Sequence, residues 1–139
     1  MKDATPQTIY LKDYQVPEYL IEKTELVFEL NEDDCRVSSR LHVRRNPDSQ
    51  SKQSDLFLHG GSELDLQQVA IDGVVLASDR YQRSEEGLVI KQVGDTAVVE
   101  IDLFIKPHLN TTMMGLYKSR TMYCTQCEAE GFRNITFYL

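Results

Sequence analysis

No long apolar run occurs in this chain. The longest, Val74-Val75-Leu76-Ala77, is far short of the ~20 residues that a membrane-spanning helix needs. Met1-Lys2-Asp3-Ala4-Thr5-Pro6 contains no apolar stretch of the kind a secretory signal carries. The expectation is a cytoplasmic protein without a membrane partner. Positive charge is also scarce: 15 Lys and Arg stand against 22 Asp and Glu, a net charge of −7. That balance keeps a protein soluble and argues against a nucleic-acid partner, because binding a phosphate backbone requires a basic footprint. The one basic patch is Arg40, His42, Arg44 and Arg45. Its first three members alternate with Leu41 and Val43, so they read as the wet face of a strand. Cysteine is limited to Cys35, Cys124 and Cys127. An odd count with no leader fits reduced thiols, and without a disulfide framework the fold must rest on its core. A helical apolar period is missing as well, since no ten-residue stretch repeats every 3.6 residues.

Alternation is what the chain has. Leu20, Glu22, Thr24, Leu26, Phe28 and Leu30 fall on one face of a strand, and Ile21, Lys23, Glu25, Val27 and Glu29 on the other. The turn cluster Asn31-Glu32-Asp33-Asp34 follows, then a second strand with Val37, Leu41 and Val43 on one side, predicting a long antiparallel hairpin. Residues 46–54, from Asn46 to Ser54, hold no apolar side chain and predict a surface loop. Leu56-Phe57-Leu58 reads as a short buried strand. Val69 and Ile71, Asp72-Gly73, then Val74 to Leu76 read as a hairpin whose glycine supplies a positive φ. Glu85-Glu86-Gly87 is a turn into the strand Leu88-Val89-Ile90. Ala97, Val99, Ile101, Leu103 and Ile105 alternate cleanly and are closed by Pro107. Short strands with frequent turn signals predict an all-β, antiparallel fold, a sandwich or a saddle-shaped sheet, in one domain over residues 1–139.

Two stretches could carry chemistry. Cys124-Thr125-Gln126-Cys127 is a C-x-x-C. A structural zinc site needs four ligands, and Cys35, His42, His59 and His108 offer no partner spacing. A redox dithiol would sit at a helix N-terminus in a βαβ context, which is not found here. Two packed or partly exposed thiols is the plain reading. Glu128 and Glu130 lie two apart. They are either two solvated loop carboxylates or a pair of which one faces a cation in a cleft.

The run Thr125-Gln126-Cys127-Glu128-Ala129-Glu130-Gly131-Phe132-Arg133 resembles the loop that the N-terminal domain of the zinc aminopeptidase N family, the gluzincin metallo-aminopeptidases, inserts into the active site. It is most similar to the bacterial branch. Asp13 to Ile21 resembles the family's approach to its first long strand, and Gly115-Leu116-Tyr117-Lys118-Ser119 its approach to the loop. The similarity continues from Asn134 to Leu139, while residues 46–94 match only as a strand pattern. The resemblance implies that Glu128 binds the free α-amino group of a peptide substrate and that Gln126 beside it contacts the first substrate residue. It gives Cys124, Cys127 and Glu130 no role.

The family's H-E-x-x-H zinc motif, its downstream glutamate and its G-A-M-E-N stretch do not occur here. The resemblance therefore implies an incomplete N-terminal β domain of a zinc-dependent aminopeptidase, without the thermolysin-like catalytic domain. By itself such a chain is expected to be inactive, with no catalytic residue, no metal ligand and no bound zinc. Peptide substrates would be the partners of the whole enzyme. Ile135 to Tyr138 read as the start of a strand with missing neighbours, an open apolar edge that predicts self-association. The alternative is a stand-alone β-sandwich binding module with no catalytic activity.

Overall fold

Strong alternation builds ten strands in the computed structural model, which describes residues 8–139; the Met1–Pro6 stretch lies outside them. The strands are β1 (Tyr19–Leu30), β2 (Cys35–Arg45), β3 (Leu56–His59), β4 (Asp65–Ile71), β5 (Val74–Val75), β6 (Tyr81–Arg83), β7 (Gly87–Ile90), β8 (Thr96–Ile105), β9 (Gly115–Ser119) and β10 (Met122–Gln126). All pairings are antiparallel. They form a five-stranded sheet in the order β1-β2-β8-β4-β5, a three-stranded sheet β3-β7-β6 and the two-stranded ribbon β10-β9. Among the described residues the only helices are short 3-10 turns, and none is long and apolar enough to cross a membrane. The fold is all-β, as expected.

Inward positions of both larger sheets meet in one apolar cluster. β2 and β8 contribute Val37, Leu41, Val99, Ile101 and Leu103; β3 and β7 contribute Leu56, Leu58, Leu88 and Ile90. The hairpin β1–β2 and the turn at Asp72-Gly73 form where the turn residues place them. Both turn residues have positive φ, 50° for Asp72 and 81° for Gly73, so the aspartate shares the left-handed geometry with the glycine.

Four expectations need correction. The alternation of β1 is broken by a bulge between Ile21 and Lys23. The extra residue shifts the phase, so Ile21 opposite Val43 joins Thr24, Leu26, Phe28 and Leu30 on the inward face. Leu20 and Glu22 do not. Phe28 and Leu30, at the far half of that edge strand, are nevertheless exposed. Leu56-Phe57-Leu58 is buried on one side only, because Phe57 points outward. Asn46, assigned to a surface loop, is buried: its Nδ2 donates to the Pro17 carbonyl at 2.8 Å and its Oδ1 accepts from the Asp48 N–H at 3.0 Å.

The fourth correction concerns the end of the chain. Ile135 to Tyr138 do not begin a strand. A 3-10 turn at Gly131–Asn134 leads into them, and Ile135, Thr136 and Phe137 are buried in the core. Only Tyr138 pairs as a strand residue, exchanging backbone hydrogen bonds with His59 at 2.7 and 2.9 Å. Apolar side chains here plug the sandwich and leave no open edge at this segment.

Arg40, His42 and Arg44 do lie on the wet face, while Arg45 lies in phase with Val43 opposite the buried Tyr19, and acids meet all four. Glu25 contacts His42 at 2.8 Å and Lys23 at 2.9 Å, Arg40 reaches Glu100 at 3.1 Å, Arg44 pairs with Glu22, and Arg45 reaches Asp95 at 3.0 Å. The hydrogen bond with His42, then that from Lys23, holds the Glu25 carboxyl down at about 2. On neighbouring strands Asp102 is opposed by burial, but hydrogen bonds from Ser38 and Arg36 outweigh it and keep its carboxyl below the ordinary value.

Two measurements check this description. Phe137→Ala should lower the unfolding free energy of the chain by about 3–5 kcal/mol in urea denaturation, the cost of emptying an aromatic site in a packed core; a loss within 1 kcal/mol would mean the segment is frayed. For Glu25 the folded pKa is depressed, so its stabilising contribution is complete above about pH 4.5 and disappears as pH falls through about 2. Glu25→Gln should flatten the fall of the urea midpoint across that window.

Candidate functional site

The stretch Gln126 to Arg133 leaves the end of β10 as a compact loop. Gln126 is the last residue of β10 and lies opposite Gly115, the first of β9. The chain then turns through Cys127 to Glu130, and the Gly131 N–H donates to the Cys127 carbonyl at 2.9 Å. The Glu128–Ala129 peptide bond is cis.

Glycines let the loop close on itself. A Cβ on Gly131 would overlap the Gln126 carbonyl oxygen and lie 3.1 Å from the Gly115 nitrogen. Gly115 has φ +81°, and a Cβ there would sit 2.9 Å from the Asn134 Cβ and 3.1 Å from the Gly131 carbonyl. Three backbone segments thus touch where no side chain fits. Beyond the loop, the Gly61 N–H donates to the Arg133 carbonyl at 3.0 Å, and a Cβ on Gly61 would lie 2.6 Å from the Asn134 Oδ1. The Phe137 ring occupies the space that a Gly60 side chain would take. Arg83 lies 4.8 Å over that ring while donating to the Gly61 carbonyl at 2.6 Å.

The two carboxylates have different surroundings. Glu130 is paired with Arg133 at 3.3 Å. Glu128 is exposed, and among the described residues no hydrogen bond or ion pair holds its carboxylate. Gln126 is exposed too. The structure therefore brings Gln126 and Glu128 onto one short, well-anchored loop. It does not bring them into a pocket.

A cleft of about 490 Å³ lies on the other flank of the loop, lined by His59, Glu86, Met114, Glu130, Arg133 and Asn134 among others. Burial pushes the His59 imidazole below its ordinary pKa; nearby Arg133 adds to the shift, against the pull of Glu130 and Glu86. This grouping could not be seen in the sequence, because it joins the end of β3, the turn before β7 and the loop after β10.

Among the described residues no group of three or more His, Cys, Asp and Glu side chains could hold a metal ion. Cys127 packs against the core, Cys124 lies on β10 with its Sγ 4.0 Å from the Met122 carbonyl, and both are free thiols.

No family model matches the chain. Individual relatives do. The aminopeptidase N of Caulobacter vibrioides is 43% identical over 138 residues, which is 99% of this chain and 16% of that protein. The aminopeptidase N of Escherichia coli is 36% identical over 134 residues, 96% of this chain and 15% of that protein. The chain thus spans only a small part of the relatives it matches. Among solved structures, Legionella pneumophila aminopeptidase A in complex with aspartic acid superposes with a TM-score of 0.82 at 24% identity, covering 92% of this chain and 15% of the other. Native leukotriene A4 hydrolase from Saccharomyces cerevisiae gives 0.69 at 18% identity, covering 95% and 24%. These two likenesses show a shared fold.

Proposed function

From the premise that the chain belongs to the aminopeptidase N family, we propose that the protein carrying it is an aminopeptidase and that this segment helps to recognise the substrate's N-terminus. The observation that carries the reading is the similarity over 99% of the chain together with an exposed Glu128 carboxylate that no neighbour among the described residues neutralises.

The chemistry follows from what an exopeptidase must do. It has to distinguish a chain terminus from an internal peptide unit, and the terminus differs by an ammonium group. A carboxylate is the complementary side chain, and a charge-assisted contact of this kind is worth about 1.5–3 kcal/mol. Glu130 is poorly suited to that task because Arg133 already compensates it. Glu128 has the freedom to accept from an incoming ammonium. Gln126, at the near end of the same loop, can both donate to and accept from a neighbouring substrate group.

The zinc that the family resemblance implies would take its ligands from outside this chain, because the described residues offer no group of three or more His, Cys, Asp and Glu side chains that could hold it. Peptides are the partners this reading requires. The three cysteines of this segment are free thiols, which suits the reducing, cytoplasmic setting we propose for the protein.

In the whole protein, Glu128→Gln keeps the shape of the loop and removes the charge. The value of kcat/KM for an aminoacyl substrate at neutral pH should fall about tenfold to a hundredfold. Glu130→Gln should have a much smaller effect. A silent Glu128→Gln beside a damaging Glu130→Gln would move the site to the cleft on the Glu130 flank.

A further inference from the structure

The loop is held in a way that its role in recognition does not by itself require. Gln126, Gly115 and Gly131 meet backbone to backbone. A Cβ at Gly131 would overlap the Gln126 carbonyl, and the Gly115 nitrogen is only 3.1 Å from that Cβ position. These are main-chain atoms of a paired strand and cannot rotate aside as a flexible side chain would. Gly131 is buried, and its φ does not lie in the left-handed region. An alanine is therefore excluded by the neighbouring backbone and not by local conformation. Cys127 to Glu130 form a ring of four residues closed at both ends, tied by the Gly131-to-Cys127 hydrogen bond.

We propose that Gly131, seated against Gly115 and Gln126, is a positioning residue that fixes where Glu128 and Gln126 present their side chains to substrate. The proposal rests on the reading of Glu128 given above. Gly131 touches no substrate itself. A side chain at this position must lift the exit of the loop from the entrance, and the ring is too short to absorb that movement without displacing Glu128. A displacement of about 1 Å in a group that orients substrate can cost a hundredfold in rate.

The test compares variants of the whole protein on one aminoacyl substrate. Gly131→Ala is expected to lower kcat/KM about tenfold to a hundredfold, similar to Glu128→Gln. The double variant should be no worse than the more damaged single one, because a misplaced carboxylate has little left to lose. Gly73→Ala is the control: its φ is +81° and no atom lies within 4 Å of its Cβ position, so it introduces backbone strain far from the loop. It should lower the melting temperature without changing kcat/KM.

Where Gly131→Ala fails to fold, inserting one glycine between Glu130 and Gly131 replaces it. That insertion leaves Gly131 seated and loosens only the ring, and exposed loops tolerate such changes. It should lower kcat/KM by a similar factor. If Glu128→Gln is damaging while Gly131→Ala or the insertion stays within twofold, the positioning proposal fails and the reading of Glu128 stands. If the effects of Gly131→Ala and Glu128→Gln multiply fully, Gly131 acts independently of the carboxylate and the proposal again fails. If Glu128→Gln is silent, both fall.

Discussion

Close contact between backbones, permitted by glycine, is the constraint on which the rest of this structure turns. Gly60 and Gly61 at the end of β3, Gly115 at the start of β9 and Gly131 at the end of the loop converge on one segment. Gly115 and Gly131 lack the atom that would push neighbouring main chain away, and Gly60 and Gly61 lack the atom that would collide with the Phe137 ring and the Asn134 side chain. The outcome is a join between the three-stranded sheet, the β9–β10 ribbon and the stretch from Arg133 to Tyr138. Phe137 then fills the space over Gly60, and Ile135 and Thr136 are buried beside it. An apolar plug and a polar loop are thus two ends of one short segment. Packing at one end limits movement at the other.

Charge is distributed to the same effect. A chain with net charge −7 could repel its own acids, yet the hairpin face of β1 and β2 interleaves them with Lys23, Arg36, Arg40, His42 and Arg44. Exposed pairs of this kind contribute little individually. Their consequence is selectivity, because few basic groups remain uncompensated on that face. On the loop after β10, Glu128 has no such partner among the described residues, while Glu130 two residues on pairs with Arg133.

Much of this was legible in the sequence. Period-two alternation showed the all-β class, the β1–β2 hairpin and β8, because each strand has one face against the core. What it could not show was the bulge after Ile21, since one inserted residue leaves the alternation plausible on either side while exchanging the faces. The burial of Asn46 was hidden for a different reason: its side chain serves backbone groups of Pro17 and Asp48, and a polar residue in a polar stretch reads as solvated. Tyr81–Arg83 and the β9–β10 ribbon escaped because short or edge strands bury too few side chains to impose a pattern. Ile135 to Tyr138 read as a strand because so short a β-branched and aromatic stretch carries no decisive period; the 3-10 turn before it decides its fate.

The site shows the same division between local and long-range information. The motif from Thr125 to Arg133 named Gln126 and Glu128, and the structure places Gln126 at the end of β10 and Glu128 in the loop that follows. Their difference from Glu130 depends on Arg133 turning back along the 3-10 turn to meet it. Composition gives two glutamates equal standing. Backbone geometry separates them, compensating one and leaving the other open to solvent. The cleft of about 490 Å³ is lined by Glu130 and not by Glu128. For the ammonium recognition that we propose, the property that matters is an uncompensated carboxylate on an anchored loop, and of the two glutamates it is Glu128 that has no partner among the described residues.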